Sequence, residues 1–160
     1  MTDFVHLHVH TEYSLLDGMA KVEDLMDHMQ KNGIDTCAVT DHGNMYASLY
    51  FAEECKKRGF KYIIGCELYV TDDMYDHRYG TKTEHIVLLA KNKTGYKNIV
   101  KLDSMSYIDG FYGKPRIDYK LLKEHHEGVI CLSACLAGRM PQLLMHGDYD
   151  GAKEWAREMK

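Results

Sequence analysis

The stretch His6-Leu7-His8-Val9-His10-Thr11-Glu12-Tyr13-Ser14-Leu15-Leu16-Asp17-Gly18 decides how the chain is read. As a strand, residues 4–10 place Val5, Leu7 and Val9 on one face and His6, His8 and His10 on the other, because strand side chains alternate. Imidazoles crowded on one face of an apolar strand are costly to bury without partners. A divalent ion satisfies them, since a neutral imidazole nitrogen is a good zinc ligand. The competing reading is a solvated polar face. An H-x-H-x-H run leading straight into the Asp17-Gly18 turn favours the metal reading.

The 160 residues suffice for one domain with a real core. Hydrophobic residues make up 45% and charged residues 28%, as in ordinary globular proteins. No apolar run reaches membrane-spanning length, and Asp3 and His6 interrupt the N-terminus where a signal peptide would be apolar. A cytoplasmic location is expected. The 5 cysteines, Cys37, Cys55, Cys66, Cys131 and Cys135, are odd in number and lack scaffold spacing, which suits a reducing compartment. A net charge of −4 gives no global attraction to nucleic acid, so any DNA contact is local or made by another part of a longer chain. The 10 histidines are many for this length and ask for an explanation.

Outward from the first stretch, Val22, Leu25, Met26 and Met29 recur at helical spacing, with Gly33 as the stop. Residues 36–40 fit a short buried strand that ends in Asp41-His42-Gly43-Asn44. A helix over about 46–58 stops at Gly59. Residues 60–70 hold a third strand with Glu67 inside it, and 71–83 are a polar, turn-rich loop. His85 opens a strand over 86–90. A helix over about 95–107 follows, then a loop over 109–116, a short helix capped by Asp118, a strand over 129–133 and two helices split near Gly147. Short apolar strands separated by helices read as βαβ units and a largely parallel sheet, open or closed into a barrel. His8, His10, His42, Glu67 and Cys135 then fall near strand ends, where α/β proteins build their sites.

The candidate ligands are His8, His10, Asp17, His42, Glu67, His85 and Cys135. Nitrogen, carboxylate and one thiolate suit zinc, or manganese or iron where thiolate is absent. Inside Gly65-Cys66-Glu67-Leu68, Glu67 would be an unpaired buried charge without a metal or a base, and a carboxylate can bridge two ions. His85 also reads as a satisfied core histidine, and Cys135 equally as a small core residue. Cys37, Cys66 and Cys131 read as packing.

His8-Val9-His10-Thr11, residues 14–18, Thr40-Asp41-His42-Gly43-Asn44 and Gly65-Cys66-Glu67 resemble the motifs of the PHP (polymerase and histidinol phosphatase) domain. Residues 13–18, 85–92, 110–118 and Leu132-Ser133-Ala134-Cys135-Leu136 narrow the likeness to the PHP domains that open bacterial DNA polymerase III alpha subunits. The likeness covers essentially all of 1–160.

The resemblance implies an irregular (β/α)7 PHP barrel, with about five βα units visible here. It implies up to three ions of zinc or manganese, or iron. His8, His10 and Glu67 would take the first, Glu67, His85 and Cys135 the second, and Asp17 and His42 the third. The family's later Asp-x-His pair does not occur before Lys160, so the chain is expected to be the N-terminal part of the domain, with the polymerase body absent and an apolar sheet edge uncovered. His6 is left unassigned.

By context the parent would be a DNA-directed DNA polymerase, a nucleotidyltransferase of DNA replication. The domain would be a phosphoesterase removing nucleotides 3′→5′ as a proofreading exonuclease, with a hydroxide generated at the ions as nucleophile. Lys114 and Arg116 are candidate phosphate contacts. Tyr107, Phe111 and Tyr112 could stack on bases or meet the polymerase body. The expected partners are a single-stranded DNA 3′ end, the rest of the alpha chain and replisome subunits, with no membrane. The rivals are a free-standing phosphatase of a small phosphate ester and a metal-stabilised structural module.

Overall fold

The computed structural model describes residues 4–160; Asp3, which bears on the N-terminal reading, lies outside them. The elements in order are α1 (Val22–Lys31), β1 (Thr36–Val39), α2 (Ser48–Arg58), β2 (Lys61–Thr71), β3 (Glu84–Ala90), α3 (Lys93–Ile108), β4 (Arg116–Asp118), α4 (Tyr119–Glu124), β5 (Val129–Leu132), α5 (Arg139–Met145) and α6 (Tyr149–Glu158). The fold is mixed α/β around a 5-stranded sheet of order β1-β2-β3-β5, with β4 also on β2. The sheet is open.

The helices form where spacing and caps agree. Val22, Met26 and Met29 of α1 fall on one stripe and are buried with Phe51 and Cys55 of α2. Each such large apolar side chain contributes roughly 1.5–3 kcal/mol on burial. Gly59 ends α2 in the left-handed conformation that glycine adopts without strain. Asn92 caps α3 by accepting from the Gly95 amide, and Asp118 caps α4 by accepting from the Leu121 amide. The second core lies between the sheet and α3, built from Leu68, Ile86, Leu88, Ile99, Leu102 and Ile117.

Strand β2 is the spine. Along one edge it pairs in parallel with β1 through Thr36↔Lys61 to Val39↔Ile64, and further on with β4 through Tyr69↔Arg116 to Thr71↔Asp118. Along the other edge it pairs with β3, antiparallel, from Gly65↔Leu89 to Val70↔Glu84. β5 then joins β3, also antiparallel.

Three expectations change. The sheet is mixed rather than largely parallel, because β2 and β3 are joined by a loop with no helix, and a parallel return needs a crossover. Residues 4–10 do not form a regular strand. They run beside β1 through one bridge, His6↔Cys37, and two backbone bonds, Ala38 N–H to His6 O and Thr40 N–H to Val9 O. A third bond to this segment uses a side chain, Val9 N–H to Thr40 Oγ1, which takes the place of a ladder rung. Finally, Arg116-Ile117-Asp118, expected as loop and cap, is strand β4, and Asp118 also caps the next helix. No helix among the described residues is long and apolar enough to cross a membrane.

Candidate metal centre

Glu67 stands in the middle of β2, and its side chain is 1% exposed. It shares a sheet face with Tyr69, two residues on, and with His85, which lies directly opposite Tyr69. Because β3 is antiparallel, the residue near its start meets the far half of β2. That is why His85, near the opening of its strand, still reaches Glu67. His42 arrives from the other edge. Glu67 N–H donates to Asp41 O at 3.0 Å and Gly43 N–H donates to Glu67 O at 2.7 Å, which extends the β1–β2 ladder past the end of β1. Gly43 takes φ +57°, and a Cβ there would lie 2.9 Å from Pro115 Cγ and 3.0 Å from Tyr69 Cε2. The turn after His42 therefore needs glycine on two counts.

Four imidazoles surround the carboxylate. His8 Nε2 lies 2.5 Å and His10 Nε2 3.6 Å from Glu67 Oε2. His42 Nδ1 and His85 Nδ1 each lie 2.8 Å from Oε1. His10 and His42 stack with centroids 4.0 Å apart. Asp17 joins through His42, its Oδ2 2.8 Å from His42 Nε2. Cys135 joins through His85, its Sγ 3.6 Å from His85 Nδ1. All seven sequence candidates are thus in one chain of contacts. Leu16 and Ala134, the residues just before Asp17 and Cys135, have φ of 66° and 59°. These are left-handed values that cost a non-glycine residue about 1 kcal/mol or more.

The residues fit a metal. His8, His10 and Glu67 form one set, and His42, Glu67 and His85 another, with the ligand atoms of each set within 4.8 Å of one another. Glu67 belongs to both. Its Oε1 and His42 Nδ1 are buried with no hydrogen bond, although they are 2.8 Å apart, so the ring N–H direction misses the oxygen. Two buried polar atoms facing each other without a proton between them are costly unless a cation lies beside them. Nitrogen and carboxylate donors suit zinc or manganese. Burial would raise the Glu67 carboxyl, but the imidazoles of His42, His8 and His85 close around it outweigh that and hold the group well below the usual carboxylate range. Glu67 raises His42, while burial and the neighbouring His42 lower His10.

Behind this cluster lies a second set of buried polar residues with no gap in its partners. Asp41 Oδ1 accepts from the Thr11 amide at 2.6 Å and from Ser14 Oγ at 2.7 Å, and Oδ2 accepts from Thr11 Oγ1 at 2.9 Å. Ser14 Oγ in turn accepts from the His42 amide at 3.1 Å and lies 3.4 Å from His10 Nδ1. Sequence reasoning places Ser14 and Asp41 inside motifs without giving either a role, and it passes over Tyr69. Part of the signal is there: small hydroxyl residues and an aspartate flank the ligand positions.

The two phosphate candidates part company. Lys114 is exposed, and its Nζ lies 4.5 Å from the centroid of the Tyr69 ring, itself packed on His42 and His85. Arg116 is 1% exposed and donates to the carbonyls of Gly110, Met74 and Asp76, tying two loop segments to β4. Its assignment as a phosphate contact is corrected to a buried strut, because a guanidinium that is almost fully buried and committed to three carbonyls does not reach a ligand at the surface. Cys37, Cys66 and Cys131 are packing residues with thiols pushed up by burial, Cys37 to about 12 and Cys131 to about 11. Tyr107 donates to Gly43 O at 2.8 Å and so braces the turn after His42.

A family model described as the PHP domain matches residues 6–160. The chain is 48% identical over 161 residues to the DNA polymerase III subunit alpha of Treponema pallidum, with 98% of the chain and 14% of that protein covered. It is 45% identical over 159 residues to the same subunit of Borreliella burgdorferi, with 94% of the chain and 13% of that protein covered. It therefore spans about one seventh of the length of these relatives. Among solved structures, an amidohydrolase from Chromobacterium violaceum matches with TM-score 0.44 and 22% identity over 63% of this chain and 34% of that one.

Proposed function

Because the chain belongs to the PHP domain family, we propose that it is the metal-binding phosphoesterase portion of a bacterial replicative DNA polymerase alpha chain, and that it removes nucleotides from a single-stranded DNA 3′ end. The polymerase context is supported by identity of 45–48% to polymerase III alpha subunits over nearly the whole chain. The single observation that carries the chemistry is Glu67, a buried carboxylate common to two sets of imidazole ligands.

His8, His10 and Glu67 would hold one ion, and His42, Glu67 and His85 a second, with Cys135 beside His85 and Asp17 beside His42 as further donors. Zinc or manganese is the assigned metal, with iron as a third candidate, and up to three ions in a complete domain. Bound there, such ions supply Lewis acidity and bring the pKa of water towards neutrality. The residues do the rest. Glu67 stays ionised between the two sets and fixes their spacing. Asp17 orients His42 through Nε2. Lys114, poised over Tyr69, provides a cation for a phosphate oxygen at the rim. The remainder of the alpha chain and other replisome subunits are the proposed partners, acting in the cytoplasm.

The test is a single-stranded DNA labelled at its 3′ end, incubated with the chain and manganese or zinc, with Glu67→Gln as control. Release of single nucleotides that requires the ion and Glu67 is expected. Ion binding without any release would overturn the nuclease and leave a metal-stabilised brace of the polymerase. Release of phosphate from small esters, with DNA untouched, would favour the free-standing phosphatase instead.

A further inference from the structure

Proton counting in the network behind the cluster fixes something the metal candidates alone leave open, namely which nitrogen of His10 is free. Thr11 Oγ1 accepts from the Tyr13 amide at 3.2 Å, so its own proton goes to Asp41 Oδ2. Ser14 has one hydroxyl proton and two neighbours that could accept it. Asp41 Oδ1 is at 2.7 Å and His10 Nδ1 at 3.4 Å. Giving the proton to His10 would set the Ser14 and Asp41 oxygens lone pair to lone pair at 2.7 Å, in a place where Ser14 is fully buried and Asp41 is 2% exposed. The proton therefore lies on the short, charge-assisted bond to Asp41. Ser14 Oγ is left as an acceptor, already taking the His42 amide at 3.1 Å. Its contact with His10 is a hydrogen bond only if His10 Nδ1 carries the proton. His10 Nε2 is then a bare lone pair, 3.6 Å from Glu67 Oε2, with no hydrogen between them.

We infer that Ser14, fixed by Asp41, is a positioning residue that holds His10 as its Nδ1–H tautomer and so commits Nε2 to the ion shared with His8 and Glu67. The same hydroxyl anchors the His42 main chain, so one oxygen sets a donor of each ligand set. Histidine ligands commonly donate their second ring N–H to a fixed acceptor, and losing such a partner costs about 10–100-fold in metal affinity. The consequence for the ion rests on the metal-binding reading above; the tautomer does not.

The experiment is long-range 1H–15N NMR of the metal-free chain labelled in histidine, at about pH 8, above the ordinary histidine pKa of roughly 6.5. The wild type should show His10 protonated at Nδ1. Ser14→Ala should lose that preference and bind zinc or manganese about 10–100-fold more weakly. The wild-type spectrum needs no variant, so a misfolded Ser14→Ala protein does not spare the inference. His10 protonated at Nε2 in the wild type would overturn it, even if ions bind and DNA is cut. His10 protonated at Nδ1, with the preference lost in Ser14→Ala, would support it even if no ion binds and the nuclease reading falls.

Discussion

Asp41 and Glu67 are two carboxylates buried to almost the same depth, 2% and 1% exposed, the first just past the end of β1 and the second within the neighbouring strand β2. Their surroundings differ in kind. Asp41 receives an amide and two hydroxyls, each with a proton aimed at it. Glu67 receives imidazole nitrogens at similar distances, yet Oε1 and His42 Nδ1 are left without a hydrogen bond. Burial alone therefore does not mark a functional carboxylate. A satisfied one builds structure, and an unsatisfied one among candidate ligand atoms fits a cation.

The sharpest way to break this contrast is to remove the satisfied partner. Asp41→Ala leaves the Thr11 amide and the Thr11 and Ser14 hydroxyls buried without an acceptor. It should cost about 3–5 kcal/mol, read in a denaturant titration, with or without added ions. A loss under about 1 kcal/mol would mean that Asp41 is no structural hub.

Glu67→Gln should behave differently, through its ions. Saturating zinc or manganese at about a hundred times its Kd should stabilise the wild type by roughly 2.7 kcal/mol per site, and Glu67→Gln should lose that gain. Equal ion-induced shifts in melting temperature for both proteins would erase the distinction drawn between the two carboxylates.

Asp103 sharpens the contrast as a third case, a partly buried carboxylate with an orphaned Oδ1 but no ligand set around it among the described residues. Burial pushes its carboxyl up from 3.8 to about 6, and the groups it faces, the Cys66 thiol and the Tyr107 hydroxyl, are themselves raised and neutral. The folded state thus binds this proton more tightly than the unfolded one. The contribution is fully present below about pH 4 and is lost as pH rises through about 6. Asp103→Asn should stabilise the chain by about 1 kcal/mol at pH 7.5 and leave stability unchanged at pH 4. Equal effects at both pH values would contradict it.

The smallest effect concerns strain beside a ligand. Ala134→Gly, at φ 59°, should relieve about 1 kcal/mol of strain against a comparable entropy cost, so the melting temperature should move by no more than about 2 °C. A drop well beyond that would show that the Ala134 methyl packs where only conformation was invoked.

Much of this architecture is legible in the amino-acid order. Apolar stripes and glycine stops mark α1, α2 and the strands β1, β2, β3 and β5 with bounds close to those observed. The candidate ligands are legible because histidine, aspartate and glutamate beside apolar runs lack another use. What stays hidden has physical causes. Arg116-Ile117-Asp118 is too short for an alternation to show. The histidine run before Thr11 has the alternation of a strand, but a Thr40 hydroxyl replaces part of its ladder. The antiparallel return of β3 is implicit in the missing helix between residues 71 and 84, because the crossover to a parallel start is usually a helix. Arg116 misleads because a loop arginine is usually solvated, and nothing local announces three carbonyls from distant segments.

The central claim is that one buried carboxylate joins two ion sites. Counting ions per chain by elemental analysis after equilibration with zinc or manganese, for the wild type and for Glu67→Gln, tests it most directly. More than one ion is expected in the wild type, and loss of more than one ion in the variant. A single ion in the wild type, or a variant that keeps all but one of its ions, would contradict it.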